Sequence, residues 1–427
     1  MAVRIGLVGT GTVGGGCIDI IQAHQQDFKR HYGIDVELAR VCSRNPEQAA
    51  ARGVGHLFTS DFHDITGDPD IDLVVELIGG TTTAREVVLE ALAAGKAVVT
   101  ANKALMATHG REVMDAAEAA GRELAFEASV GGGIPIIGPL KHSLIANEVL
   151  SVMGIVNGTT NYMLTRMAED SMSYDQALAE AQAAGFAEAN PSADVDGFDA
   201  AAKIAILASI AFNSRVTLDD VYTRGITNIT PVDLEAAADM GYAVKLLAIA
   251  HRTPGGIDVR VHPTMLPADH QMAKVNGVFN AIYVTGDAVG ETMFFGEGAG
   301  AGPAASAVMG DVLEVARHLS QGVAPIVGCT CTDELPILPI DELSMKYYIR
   351  FSVADRLGVL ATMAEVFARH NVSVHSMVQR GKGETGAVDV IYVTHTAKER
   401  DVRAAIDEIK AEDDLLYAEP SLIRVEE

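Results

Sequence analysis

The sequence predicts an α/β chain in three parts: a doubly wound N-terminal domain, an α+β middle domain and a ferredoxin-like C-terminal unit. Three observations carry this. A short apolar run, Val3 to Val8, meets Gly9-Thr10-Gly11-Thr12-Val13-Gly14 and then a helical pattern. Between Gly185 and Phe212 a loop with four acids feeds an apolar helix that carries one cation. From Tyr347 the pattern restarts as strand, helix, strand, strand, helix, strand.

Composition sets the outer limits. At 427 residues the chain has room for two or three domains, each with its own core. A formal charge of -25 argues against nucleic acid or anionic lipid as a partner, because both are held by Lys and Arg. Cys17, Cys42, Cys329 and Cys331 form no disulfide framework, and Cys329-Thr-Cys331 lacks the spacing of a zinc site. A reducing compartment follows. No apolar run is long enough for a membrane span and no signal peptide is expected, so the expected location is cytoplasmic.

The N-terminal domain is placed at residues 1–135 and reads as a Rossmann-type dinucleotide-binding domain. Gly9 permits the turn after the first strand, Gly11 lets backbone approach a pyrophosphate, and Gly14 lets the helix pack on the strand. Free N–H groups at that helix N-terminus suit phosphates. The second strand, Val36 to Cys42, ends in Ser43-Arg44 instead of an acid that would bind ribose hydroxyls. Arg44 is placed to meet a 2′-phosphate, which favours NADP and leaves NAD possible. Ile71 to Ile78 and Ala97 to Thr100 read as buried parallel strands, and Lys103 follows the second of them at the carboxyl edge where such sheets place ligands. Leu124 to Ala128 closes the region with Glu127 near its end, before the glycine-rich crossover Ser129 to Leu140.

The middle domain is placed at 136–303. Val149 to Val156 reads as a strand, Asn157-Gly158-Thr159-Thr160-Asn161 as a polar turn before a helix, and Ser173 to Ala184 as a helix. Val216 to Gly225 and Asp233 to Tyr242 hold mixed short elements. Lys245 to His251, Val259 to Pro263 and Asn280 to Asp287 read as strands of a second sheet. A glycine-rich stretch then opens a helix at 304–319, expected to pack back on the first domain. Residues 320–345, with Pro325, Pro336 and Pro339, read as a linker to the unit at 346–427. Within that unit the strands fall at Tyr347–Val353, Val372–Arg380, Ala387–Thr394 and Leu415–Val425, and the helices at Val359–His370 and Glu399–Ala411.

The chemistry concentrates in Gly185 to Phe212. Glu188, Asp194, Asp196 and Asp199 crowd a loop and a helix start, and Lys203 follows Asp199 by four residues on the same helix face. Ile204, Ile206, Leu207 and Ile210 bury most of that helix. Its plain structural reading is a capped core helix whose Lys is neutralised by Asp199.

With these pieces in view, the chain resembles the homoserine dehydrogenase family with a C-terminal ACT domain, over essentially its whole length. The resemblance rests on GTGTVG, TANK at 100–103, the Ser129–Pro139 stretch, NGTTNY at 157–162, GFAEANPSADVDGFDAAAK at 185–203 and GAGAGPAASAV after Gly298. It implies reversible reduction of L-aspartate 4-semialdehyde to L-homoserine with NAD(P)H, on the route to threonine, methionine and isoleucine. By resemblance Lys203 is the general acid/base and Lys103 a second lysine near nicotinamide and substrate, their order in proton transfer left open. Glu188 and Asp199 hold the substrate ammonium, with Asp194 and Lys203 close to it. Gly9, Gly11, Thr12, Val13, Gly14, Arg44, Lys103 and Gly300 fall where the family meets its cofactor. Glu127, with the backbone of Val130, Gly132 and Ile134, matches a structural monovalent-cation site, usually sodium. The resemblance also implies a homodimer or homotetramer and an amino-acid effector such as threonine at the ACT domain. One position departs: Asn190 stands where the family usually has Asp.

Two rivals differ in their residues. Aspartate-semialdehyde dehydrogenase acylates a cysteine, and none of the four here is placed by sequence as an activated nucleophile. A non-catalytic, NADP-binding, amino-acid-sensing regulator would share the first and last domains but needs no buried Lys beside four acids.

Overall fold

The computed structural model describes residues 2–323, 328–381, 387–412 and 414–426. The chain divides into two compact units. The first comprises Met1–Val156, Ala202–Val221 and Phe279–Leu335; the second comprises Asn157–Ala201, Tyr222–Val278 and Pro336–Glu427. The Phe198–Ala211 helix crosses from one segment to the other along the chain.

In the first unit, β1 (Val3–Val8), β2 (Val36–Cys42), β3 (Phe58–Thr59), β4 (Leu73–Glu76), β5 (Ala97–Thr100) and β6 (Leu124–Ala125) form an all-parallel sheet ordered β3-β2-β1-β4-β5-β6. Covered on both faces, β4 and β5 are buried at every residue, which is why they read as unbroken apolar runs. Strand order reverses between β1 and β4, and that reversal opens a crevice beyond their carboxyl ends.

Close helix packing sets the glycines of the first turn. A Cβ on Gly14 would lie 1.9 Å from the Gly9 carbonyl oxygen, so no other residue fits there. A Cβ on Gly16 would lie 2.7 Å from the Ala301 oxygen, which brings the Ala301–Gln321 helix against the Thr12–Asp27 helix. Ala305, Val308, Met309, Val312, Val315 and Ala316 recur at helical spacing and join one core with Val3, Ile5, Leu7 and Ile18. The helix therefore packs on the sheet. Each such Val side chain taken from water contributes roughly 1.5–3 kcal/mol.

The same unit holds an antiparallel set, with Phe279–Gly286 between Val149–Ile155 and Gly290–Glu297. The last strand is not legible in the sequence. Its GETMFFGE pattern leaves no residue buried and exposes Phe295, so alternation gives no core face to detect.

In the second unit Tyr242–Thr253 and Gly256–Pro267 form a long antiparallel hairpin, extending well beyond the expected 245–251 and 259–263. Ser421–Val425 pairs parallel to that hairpin at Thr264 and antiparallel to Ser344–Ala354, which pairs with Ala387–Thr394 and then Val374–Arg380. The ferredoxin-like unit thus continues the hairpin's sheet. Its two helices, Val359–Arg369 and Glu399–Ala411, close a core around Phe351, Phe367 and Tyr392. The expected last strand shortens to Ser421–Val425, because Leu416 forms only an isolated bridge to Val353.

Part of the expected 320–345 linker is ordered pairing. Ile257 N–H donates to the Pro336 carbonyl at 2.8 Å and Leu338 N–H returns a 2.8 Å bond to Ile257. Pro325 lies outside the described residues. A buried ion pair also belongs to this unit: the Arg424 and Glu399 side chains are 1% and 0% exposed and share a 2.9 Å Nε–Oε2 bond. Tyr222 accepts from Arg403 at 2.6 Å and from Arg424 at 3.1 Å.

Candidate active site

The crevice of the first unit encloses about 700 Å³ and is lined by Gly9, Gly11, Ser43, Arg44, Gly79 and Gly80 among others. Gly9 takes φ +111, which an L side chain rarely adopts. A Cβ on Gly11 would meet nothing within 4 Å, so backbone is open to a ligand at that point. No side chain caps the Thr12–Asp27 helix, and its first N–H groups remain available to phosphate oxygens. Thr10, buried under the loop, donates one hydroxyl proton that Ser43 Oγ at 2.7 Å and Gln48 Oε1 at 2.9 Å are both placed to accept. That ties the first glycine turn to the end of β2, where Arg44 stands exposed in the crevice wall.

Of the sequence-predicted cofactor residues, Gly9, Gly11 and Arg44 line the crevice directly. Thr12, Val13 and Gly14 follow in the helix behind it. Lys103 is exposed at the start of the Lys103–Ala120 helix, one residue after Asn102, whose Nδ2 donates to the Gly80 carbonyl at 2.7 Å. Gly300, at φ +127, precedes the Ala301–Gln321 helix. Sequence reasoning passed over Glu76. Fully buried at the end of β4, it accepts from Thr100 Oγ1 at 2.6 Å and from the Ile78 N–H at 2.8 Å, and so fixes the crevice floor.

Lys203 is 8% exposed, and its ammonium donates to the Val156 carbonyl at 2.6 Å. In the second unit the adjoining residue, Asn157, gathers the acids. Its Nδ2 donates to Asp194 Oδ1 at 2.7 Å and to Asp199 Oδ2 at 2.9 Å, while its Oδ1 caps the Gly158–Asp170 helix through Thr160 N–H at 2.9 Å. Asp199 is buried, Asp194 and Asp196 half-buried, and Glu188 exposed. Asn190 Oδ1 accepts from Ser192 N–H at 3.3 Å, a turn contact that a neutral amide makes as well as an acid. Asn157 was visible only as part of the NGTTNY motif. Its role depends on side chains 37 and 42 residues away.

Glu127 is the other fixed carboxylate of the first unit. Its Oε1 accepts from Ile136 N–H at 2.6 Å and Ile137 N–H at 2.8 Å, and its Oε2 from Gly138 N–H at 2.6 Å. Val130, Gly132 and Ile134 are buried beside this turn, and a Cβ on Gly132 would lie 2.4 Å from the Gly298 oxygen. Against Gly298 sits Asn280, 1% exposed, with both amide atoms lacking a partner among the described residues. One carboxylate with backbone carbonyls is a hard-oxygen donor set that suits an alkali cation. No group of three or more His, Cys, Asp or Glu able to hold a metal occurs among the described residues.

A glycine-turn crevice at the switch point of a parallel sheet defines a dinucleotide-binding α/β protein. Comparison with known proteins narrows this. The family profile described as homoserine dehydrogenase, NAD binding domain, matches residues 9–127, the profile described as homoserine dehydrogenase matches 135–313, and the ACT domain profile matches 347–414. Homoserine dehydrogenase of Synechocystis sp. is 44% identical over 435 residues, covering 100% of both chains. That of Corynebacterium glutamicum is 44% identical, covering 100% of this chain and 96% of its own. The crystal structure of a homoserine dehydrogenase from Thiobacillus denitrificans superposes with a TM-score of 0.94 at 41% identity, covering 100% of this chain and 99% of that one. A hyperthermophilic archaeal homoserine dehydrogenase in complex with NADPH superposes over 74% of this chain and 98% of its own, with a TM-score of 0.63 at 25% identity. The chain belongs to the homoserine dehydrogenase family and carries an ACT domain. No helix among the described residues is long and apolar enough to cross a membrane.

Proposed function

We propose that Lys203 is the proton-transferring group in the reversible, NADPH-dependent reduction of L-aspartate 4-semialdehyde to L-homoserine. The observation that supports this is a buried ammonium fixed on the Val156 carbonyl, next in sequence to the amide that holds Asp194 and Asp199. When bound, the nicotinamide supplies the hydride. The oxygen of the aldehyde gains negative charge, and Lys203 gives it a proton; in the reverse direction the neutral amine takes that proton from homoserine. Lys103, at the helix start beyond β5, is the second cation for the same oxygen. Asp199 and Glu188 pair with the substrate ammonium, and Asp194 completes that acidic side. Asn157 orients the carboxylates without adding charge.

In this reading Arg44 and Ser43 take the 2′-phosphate, which favours NADP over NAD. The archaeal relative's NADPH supports that choice. Glu127 and the carbonyls of Val130, Gly132 and Ile134 hold a structural sodium ion, and the ACT domain takes an amino-acid effector such as threonine in a homodimer or homotetramer. The domains divide at 1–135, 136–303 and 346–427. Purified protein mixed with NADPH and L-aspartate 4-semialdehyde tests the core reading: absorbance at the reduced-nicotinamide band falls. No loss at any pH sinks it.

A further inference from the structure

The cysteines that sequence reading set aside are not equivalent in the folded protein. Cys329 and Cys331 lie in the first unit on the wall of a cavity of about 260 Å³, both half-buried. The Cys329 sulfur accepts from Arg215 Nη2 at 3.6 Å, and Cys331 lies beside it. The Cys331 thiol donates to the carbonyl oxygen of Ser209 at 3.5 Å, on the helix that carries Lys203. Charge around the pair is one-sided on this face. Arg111, Lys141 and Arg215 line the cavity and, among the described residues, no carboxylate does. The adjoining cavity, which Cys329 also lines, brings Glu118, Glu123, Glu127, Asp311 and Glu314 together with Arg122 and His142.

We propose that Cys329 and Cys331 form a hydroperoxide-reactive dithiol, with Cys329 the attacking thiolate and Cys331 the resolving thiol. The oxidant is a hydroperoxide. Cys329 sulfur attacks the terminal peroxide oxygen, an S–O bond forms as the O–O bond breaks, and the departing oxygen leaves as water or alcohol after taking a proton. Cys331 sulfur then displaces water from the sulfenic acid and closes the S–S bond. Two thiols and one hydroperoxide give one disulfide, one water from the sulfenic acid and one further water or alcohol from the peroxide, a two-electron exchange in balance.

The neighbouring Cys331 and the Arg215 guanidinium draw the Cys329 thiol down, and Cys329 with burial pushes Cys331 up. Thiolate character therefore collects on Cys329, and Cys331 gives up its proton only in the second step, where that proton leaves with the sulfenic hydroxyl as water. The other two cysteines provide a contrast inside the same protein. Burial pushes Cys17 up to about 12, and burial with Asp61 and Asp64 raises Cys42.

The test uses the full chain. Alkylation by iodoacetamide is followed peptide by peptide at pH 6 and pH 8. The proposal expects Cys329 to react first and its rate to change by less than about threefold, where an ordinary thiol would gain more than about thirtyfold over that interval. One equivalent of hydrogen peroxide should then leave the 329–331 peptide lighter by two hydrogens. In Cys331→Ser the oxidation should stop at a sulfenic acid on Cys329 that dimedone traps. An ordinary rise of the Cys329 rate with pH, or a peroxide-treated wild type in which both thiols still alkylate, overturns the proposal. Arg215→Met should make the Cys329 rate rise more steeply with pH than in wild type. Should that variant melt early, the wild-type and Cys331→Ser measurements decide by themselves.

Discussion

Lys203 holds the carbonyl oxygen of Val156 at 2.6 Å, a contact between residues 47 apart in sequence. The acceptor is neutral, so this bond orients the amine without matching its charge. Lys203→Met keeps the apolar stem and removes the amine. Turnover should fall by about 10²–10⁴-fold, the usual worth of a positioned acid/base, with NADPH affinity by fluorescence titration little changed. Loss of NADPH binding together with turnover would make Lys203 a structural residue.

Asn157 separates two duties in one side chain. Asn157→Ala loses the grip on Asp194 and Asp199 and also the helix cap, and should lower stability by about 1 kcal/mol. Asn157→Ser can keep the cap but cannot donate to both acids. KM for homoserine should rise in both variants, while the melting temperature falls mainly in the Ala variant. Equal KM values for Asn157→Ser and wild type would remove Asn157 from substrate positioning.

Arg44 stands exposed in the crevice wall beside Ser43. Arg44→Asp places an acid where ribose hydroxyls would lie and a 2′-phosphate would be repelled. The ratio of kcat/KM for NADPH to that for NADH should drop by at least about tenfold, which corresponds to one charge-assisted contact of roughly 1.4 kcal/mol. An unchanged ratio counts against Arg44 as the 2′-phosphate residue.

Lys245 provides the pH-dependent term. It is 4% exposed, donates to the Val275 carbonyl at 2.6 Å and Asn276 Oδ1 at 2.8 Å, and burial lowers its ammonium to about 8. Its folded value lies below the unfolded one, so between these limits the unfolded chain binds more protons and stability rises with pH. The penalty is full below pH 8 and is relieved as pH climbs from there toward 10.5. Its size is on the order of 3 kcal/mol, at about 1.4 kcal/mol per unit. Denaturant midpoints of wild type and Lys245→Met should therefore diverge in favour of wild type between pH 8 and pH 10. Parallel curves would refute the assignment.

How far the sequence reached varies from element to element. The first two strands, the strand at Ala97–Thr100 and the helix at Glu399–Ala411 fall where the pattern placed them, because each is fixed by neighbours within a few residues. Gly290–Glu297 escaped because it buries no face, and the Gly256–Pro267 strand reads short because Pro263 interrupts its propensity without breaking its pairing with Leu246.

By itself the sequence determined the glycine turn, the helix that carries Asp199 and Lys203, the helix that follows Gly300, and the family. These are local, since residue type and spacing set backbone geometry directly. Tertiary structure alone decided that Asn157 grips two acids, that Glu127 accepts three backbone N–H groups, and that Cys329 differs from Cys17. The physical reason is that a side chain's hydrogen bonds and its proton affinity are set by whatever surrounds it in space. For Cys329 that surrounding includes Arg215, 114 residues earlier in the chain.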